Sequence, residues 1–295
     1  MNASTVQEAG VERATDTASR SELNESPIYV PPRARIFEFR SKPSPARAAV
    51  LAAVGLGAFF LVWQLGHYFS SDVNQKFFPS PVQVLTALYT LFAANNFLAD
   101  VLKSCYRVFA SFALAALVAV PVGLLMGSFK SVRALLGPLV SAWRYLPAAS
   151  FIPLLLVWFG PNDTSKLALL FLGVIFFLIA LVVDNTEAVP NEFIEAGLTM
   201  GASRSKTLTD IIIPAAAPAI MDSLRNMIAV SWTYLVIAEI VGAQDGIGAV
   251  MMRAGRFLKV DIIMAGILMI GILGVFTDVL FRTIARLSMP WAFKR

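Results

Sequence analysis

The chain has 295 residues, of which 57% are hydrophobic and 15% charged, and a net charge of +5. Ordinary soluble domains carry about 25% charged residues, so long apolar runs at this low charge density point to a membrane protein rather than a larger soluble core. A single cysteine, Cys105, and a single histidine, His67, exclude a disulfide framework or a Cys/His metal site within one chain.

Residues 1–45 mix Ser, Thr, Glu, Arg and Pro with few aliphatics. Such a segment cannot bury enough apolar surface to offset its ordering entropy, so a disordered N-terminal tail is expected. Its first 30 residues contain no apolar core, and a signal peptide is not expected. Arg33, Arg35, Arg40, Lys42 and Arg47 cluster just before the first apolar run, which would hold the tail in the cytoplasm. Basic residues elsewhere also lie largely beside apolar runs, so membrane orientation explains them and nucleic acid is not an expected partner.

A first span is expected over 48–66, close to the roughly 20 residues that cross a bilayer core. Trp63 and Tyr68 stand at its outer end, where amphipathic aromatics prefer the interface. Ser80-Pro81, followed by Val82, Leu85, Leu88 and Tyr89, predicts a helix outside the membrane or at its surface. The second span, 108–128, is uncharged and carries Pro121 as a candidate kink. Lys130 and Arg133 mark a cytoplasmic turn. The run 134–159 is long for one span and holds Arg144, Pro147 and Pro153, so its first part is expected at the cytoplasmic interface and the span itself ends near Trp158. Pro161-Asn162-Asp163 reads as an outer turn. The fourth, fifth and sixth spans are expected over 167–183, 218–241 and 262–284, the last followed by basic residues. Six spans put both termini inside. The loop 242–261, with Arg253, Arg256 and Lys259, runs against the positive-inside rule, so orientation rests on the other segments.

Between the fourth and fifth spans lies a polar island, NEFIEAGLTMGASRSKTLTDIIIP, over 191–214. Asn191 is positioned to cap a short helix, with Glu192 and Glu195 in its first turn, where carboxylates favour the positive helix end. Phe193, Ala196, Gly197 and Met200 share one side of it. Gly201 offers a helix stop, and Ser203 can cap a second piece, 204–213, bounded by Pro214. The pattern predicts a helix–turn–helix knuckle.

Glu195-Ala196-Gly197, Gly201 four residues after Gly197, Ile211 ten residues later and then Ile213-Pro214 resemble the EAA loop of permease subunits of bacterial ABC importers. In that pattern E-A-A is followed by three residues, G, nine residues, I, one residue and L-P; Gly197 and Ile213 are the departures here. Two further stretches resemble the nitrate/sulfonate/taurine/bicarbonate branch. One is Arg144-Tyr145-Leu146-Pro147 leading to Pro153 and Trp158-Phe159-Gly160. The other is Ala238-Glu239-Ile240 leading to Gly246-Ile247-Gly248. The resemblance covers about residues 48–290. It implies an all-α membrane fold of six transmembrane helices, of the small ABC importer permease type. A permease domain over 46–295 would carry its cytoplasmic coupling helix in the loop 190–214.

The resemblance also implies a mechanism. The knuckle's apolar side would dock in a groove of a cytoplasmic ATPase subunit, by helix-in-groove recognition, through Glu195, Ala196, Gly197, Met200, Gly201 and Arg204. Glu195 either makes a charged contact at that joint or caps its own helix; Arg204 pairs with the ATPase or with lipid headgroups. No G-x-x-x-x-G-K-[ST] loop is present, so no cofactor is expected in this chain and ATP would be bound by the partner. One knuckle per chain should meet one ATPase subunit, so two ATPases closing on each other imply a second permease copy, expected to be identical and related by a two-fold axis. A periplasmic or lipid-anchored substrate-binding protein and membrane lipid complete the expected partners, in a bacterial inner membrane.

Ionisable and polar groups inside spans are candidates for the pathway. Arg144 faces an anion or snorkels to the surface. Glu239 lies near the outer end of the fifth span, with Ser231, Thr233 and Tyr234 further in, where they line the pathway or join helices. Asp222 and Arg225 are spaced to pair with each other. Gly266, Gly271 and Gly274 suggest close packing of the last span. A gradient-driven transporter or channel would want coupling carboxylates or histidines deep in the spans, and these are scarce; an enzyme is disfavoured by the same poverty.

Overall fold

The computed structural model describes residues 43–70, 76–241 and 244–293, and among them every regular element is a helix. The tail expected over 1–45 lies almost wholly outside the described residues. The chain divides after Phe59 into two units. The described part of the first is the beginning of helix α1, Pro45–Tyr68, in which no residue is buried.

The second unit continues with α2, Pro81–Ala94, and α3, Phe97–Ser128. Next come α4, Lys130–Arg144, a single 3₁₀ turn, and α5, Ile152–Phe159. Then follow α6, Asp163–Glu187, and α7, Asn191–Thr199. Helix α8 runs over Arg204–Val241, and α9, Ile247–Arg256, α10, Val260–Ser288, and a short α11, Pro290–Phe293, close the chain. Five of these helices, α1, α3, α6, α8 and α10, are long and apolar enough to cross a membrane. The pair α4 and α5 makes a sixth span if taken together, although it is bent by 85°. The break falls at Tyr145–Pro147, where a residue before proline leaves the helical region.

Several boundaries differ from the sequence reading for identifiable reasons. Helix α3 begins at Phe97 instead of 108, taking in Asp100, Lys103 and Arg107, because those charges are paired inside the fold. It runs on through Pro121 without interruption. Pro190, not Asn191, occupies the capping position of α7, and Asn191 is its first helical residue. Ser203 does cap the second arm, accepting a hydrogen bond from the Lys206 amide (3.4 Å). That arm is not a separate piece bounded by Pro214. It is the beginning of α8, and a π-helical stretch over Thr207–Ile212 joins it to the span. A proline ring crowds the carbonyl four residues back, and for Pro214 that carbonyl belongs to Asp210, inside the wider π turn.

Helix α6 is the centre. Leu169, Leu170, Val174, Leu178, Ile179 and Val182 are all buried, packed by α3 on one side and α8 on another. Lipid tails are as apolar as leucine, so close packing rather than water exclusion holds such helices together. The seam with α3 accordingly uses small residues: Ala115 and Ala119 are fully buried, and Gly123 packs on Val182 and Gly127 on Thr186. A second cluster joins α2, α9, α10 and the start of α3 through Val84, Leu91, Phe97, Val101, Ile247 and Ala265. Ser80 starts α2 with a reciprocal capping box to Gln83, and Pro81 takes the first helical position. Nearby, the Trp63 indole donates to the Pro79 carbonyl (3.0 Å) and His67 Nδ1 donates to that of Phe78 (2.6 Å). In the last span only Gly266 packs closely, on Met251; nothing approaches Gly271 or Gly274 within 4 Å.

Candidate functional site: a knuckle, a buried arginine and the helix between them

The knuckle is α7, the turn at Gly201 and the first turns of α8. Gly201 has φ +84°, the left-handed conformation that ends helices and that side chains with a Cβ resist. Its helix end is tied by Met200 N–H to the Ala196 carbonyl and Ala202 N–H to that of Gly197, both 3.0 Å. Gly197 is buried against the Ile211 side chain, so two of the motif's spaced positions meet in space. Glu195, Ala196, Met200, Gly201 and Arg204 are exposed, Met200 by 82%, beside exposed Phe193 and Leu198. This small element therefore leaves an apolar face uncovered by the described residues. The Glu195 carboxylate takes no hydrogen bond or ion pair from the described residues, and it stands beyond the first turn of α7. At the same end of the bundle Arg133 of α4 pairs with Glu187 of α6.

At the opposite end lies a feature the sequence reading did not single out. The Arg107 side chain is fully buried, and it reaches three carboxylates. Its Nε and Nη2 donate to Asp163 Oδ1 (2.9 and 2.5 Å). Its Nη1 donates to Glu239 Oε1 (2.7 Å) and to the Asp245 carbonyl (3.1 Å), and Nη2 donates to the Asp245 carboxylate. Glu239, also fully buried, accepts from the Ser104 hydroxyl (2.7 Å) and the Gly248 amide (2.8 Å). Ser104 in turn accepts from the Ile247 amide (3.0 Å), and Asp100 accepts from that of Gly246 (2.7 Å). Gly246, at φ +98°, presses directly on the Glu239 carboxylate, leaving no room for a Cβ. The Glu239…Gly246-Ile247-Gly248 spacing is therefore a receptor for a carboxylate, with Arg107 opposite. Arg107 stands one residue before the uncharged run 108–128, and its partners lie 56 to 138 residues away in sequence.

Partial burial raises the Asp245 carboxyl, but hydrogen bonds from Lys103 and Arg107 and the charges of Arg107 and Lys166 outweigh it, holding Asp245 well below the usual carboxylate range. A depressed pKa contributes stability that is complete above the unfolded value, about 3.9, and is lost only as pH falls through the folded one. The Asp245 carboxyl-carbon NMR shift is accordingly expected to be unchanged from neutral pH down to about pH 4, where a free aspartate would be about half protonated. A titration step at Asp245 at about pH 4–5 would show that it is not held by this network.

The five residues proposed from sequence for the pathway do not form one patch. Glu239 belongs to the Arg107 network. Ser231 is buried and returns its hydroxyl to the Met227 carbonyl (3.3 Å), while the Tyr234 ring covers Gly173. Thr233 is exposed, and Arg144 is half-buried at the end of α4. Helix α8, which links knuckle to network, exposes Ala215, Ala219, Asp222, Asn226, Ala229 and Thr233 along one stripe. Elsewhere the exposed faces of spans are large and apolar: Leu114, Leu117 and Leu125 on α3, and Ile267, Val275, Phe276 and Val279 on α10. Among the described residues no group of three or more His, Cys, Asp or Glu side chains is placed to hold a metal ion.

Comparison with known proteins places this architecture. Residues 119–289 match the family described as binding-protein-dependent transport system inner membrane component. The chain is 33% identical to the taurine transport system permease protein TauC of Escherichia coli, over 74% of this chain and 82% of that protein. It is 26% identical to a putative aliphatic sulfonates transport permease protein of Bacillus subtilis, over 88% of this chain and 94% of that one. The bicarbonate transport system permease protein of Synechococcus elongatus is likewise 26% identical, over 78% of this chain and 85% of that protein. Its fold is that of a chain in the inward-facing MetNI methionine ABC transporter, with a TM-score of 0.54, 17% identity, and coverage of 63% of this chain and 95% of that one. An all-helical bundle with five or six spans and a helix–turn–helix knuckle before the fifth thus has its place: this chain is a multi-pass membrane protein of the binding-protein-dependent transport permease family, a transport component and not an enzyme.

Proposed function

We propose that this chain is the membrane-spanning permease of an ATP-driven importer of a small anionic solute, of the sulfonate, taurine, nitrate or bicarbonate kind, working as two identical copies. The observation that carries the reading is the exposed stripe of α8. Lipid does not tolerate exposed Asp222, Asn226 and Thr233 at the depth of a span, whereas a water-filled seam between two copies does. The same helix begins in the knuckle, so a cytoplasmic ATPase docked on α7 would move the pathway wall directly. Glu195, Ala196, Met200, Gly201 and Arg204 are the docking residues in this reading, while Gly197, expected from sequence to dock as well, is buried against Ile211 and holds the knuckle together; ATP resides in the partner. Lys130, Arg133, Arg204, Lys206, Arg282 and Arg286 at the knuckle end support a cytoplasmic placement of that end, with both termini inside. A substrate-binding protein would meet the other end. The relatives' named solutes support the solute class.

Cys105 is the only cysteine, so a Cys105→Ala background allows single cysteines to be placed at will. Thr233→Cys and Asn226→Cys are expected to react with a membrane-impermeant thiol reagent in the assembled transporter, while buried Ser231→Cys and lipid-facing Leu117→Cys are not. Equal reactivity at all four positions, or none at Thr233 and Asn226, would contradict the pathway reading.

A further inference from the structure

Towards the knuckle end, between α8 and α10, lies a cavity of about 410 Å³ whose wall includes Asp222, Arg225, Arg282 and Arg286 over an apolar floor of Met221 and Phe281. The charges form a ladder between the two helices. Arg225 Nη1 lies 3.2 Å from Asp222, Arg225 Nε 2.7 Å from Asp278, and Arg282 Nη2 2.7 Å from the other oxygen of Asp278. The sequence spacing predicted the first pair and not the bridge to α10. The ladder does not balance: Arg225, Arg282 and Arg286 stand against Asp222 and Asp278, leaving one positive charge over. Arg286 is exposed, one turn beyond Arg282, and has no ion pair among the described residues. Arg225 Nε is buried and meets Asp278 off its N–H axis, so that donor makes no hydrogen bond. A ladder serving only to join helices would not need an open cavity large enough for a small molecule beside it.

We propose that this cavity binds a tetrahedral oxyanion head, the sulfonate of a small solute or the phosphate of a lipid headgroup, through Arg225, Arg282 and Arg286. The two sources share one chemistry, guanidinium groups around the terminal oxygens of a tetrahedral oxyanion. The free-solute form rests on the pathway reading, since Asp222 is common to the cavity and the α8 stripe; the anion site itself does not.

The test places a cysteine at Met221 in the Cys105→Ala background, in the assembled transporter held in nanodiscs of neutral lipid. Labelling by 2-sulfonatoethyl methanethiosulfonate, itself a small sulfonate, is compared with labelling by its trimethylammonioethyl counterpart. The anionic reagent is expected to react about tenfold faster, because one uncompensated charge nearby favours one sign and opposes the other. Arg286→Gln, which removes an exposed and unpaired charge, should bring the ratio close to that of the isolated reagents without shifting the unfolding midpoint. Slowing of the labelling by free methanesulfonate identifies a free anion; slowing by phosphatidylglycerol alone identifies a headgroup. A ratio unmoved by Arg286→Gln, or labelling slowed by neither, overturns the proposal. If methanesulfonate protects Met221→Cys while Thr233→Cys never reacts, the pathway reading fails and the anion site stands.

Discussion

Arg107→Gln is expected to lower the stability of the bundle by about 3–5 kcal/mol, the usual cost of removing one partner from a buried ion pair. The size follows from which carboxylates are stranded. Asp163 is 52% exposed and Asp245 28%, so both can turn to water, but Glu239 is fully buried and cannot. Glu239→Gln alone is expected to cost less, since Arg107 keeps two other carboxylates, and the double variant Arg107→Gln/Glu239→Gln should recover part of the loss. Thermal unfolding of the purified chain in detergent checks this. The single Arg107 variant should melt lower by on the order of 10 °C, with exchange protection lost first at Gly246 to Gly248. A midpoint unchanged by Arg107→Gln, or a double variant as unstable as the sum of the two singles, would mean that the charges do not act as one unit.

Loss of the ATPase partner is the expected result of Gly201→Val, and of Glu195→Arg for a different reason. Valine at φ +84° is strained by about 1–3 kcal/mol, and relief of that strain turns α7 away from α8. Since 1.4 kcal/mol is a factor of ten in binding, co-purified ATPase should fall by about tenfold or more. Glu195→Arg leaves the backbone alone. In the docking reading it reverses a charge at the joint and the ATPase is again lost; in the helix-capping reading α7 weakens only slightly and the ATPase stays. Both variants should keep the wild-type unfolding midpoint of the spans, because Gly197 is the one residue of α7 that is buried. ATPase retained by both would remove the knuckle from the coupling route.

The sequence was most readable where one segment decides its own fate. The α2 start at Ser80-Pro81 and the Gly201 turn depend on nearest neighbours, and each formed where local chemistry placed it. Legibility failed where distant residues decide. Arg107, Asp163, Glu239 and Asp245 come from four separate segments, and a charge that ends a hydropathy window became the middle of a helix once its partners arrived. Pro214 signals a break by itself, but the π turn beneath it carries the helix through. The facing of Ser231, Tyr234 and Thr233 was equally hidden: three nearly adjacent polar residues point three ways, and only the packing of α6 decides which one reaches the surface.

The most direct test of the central claim is uptake into proteoliposomes holding the permease with its ATPase, supplied with the binding protein outside and ATP inside, using labelled taurine and bicarbonate as solutes. An ATP-driven anion importer predicts uptake that requires ATP hydrolysis, persists when ionophores collapse the ion gradients, and disappears with Gly201→Val. Uptake that needs no ATP and stops with the ionophores would contradict the account and make the chain a gradient-driven carrier.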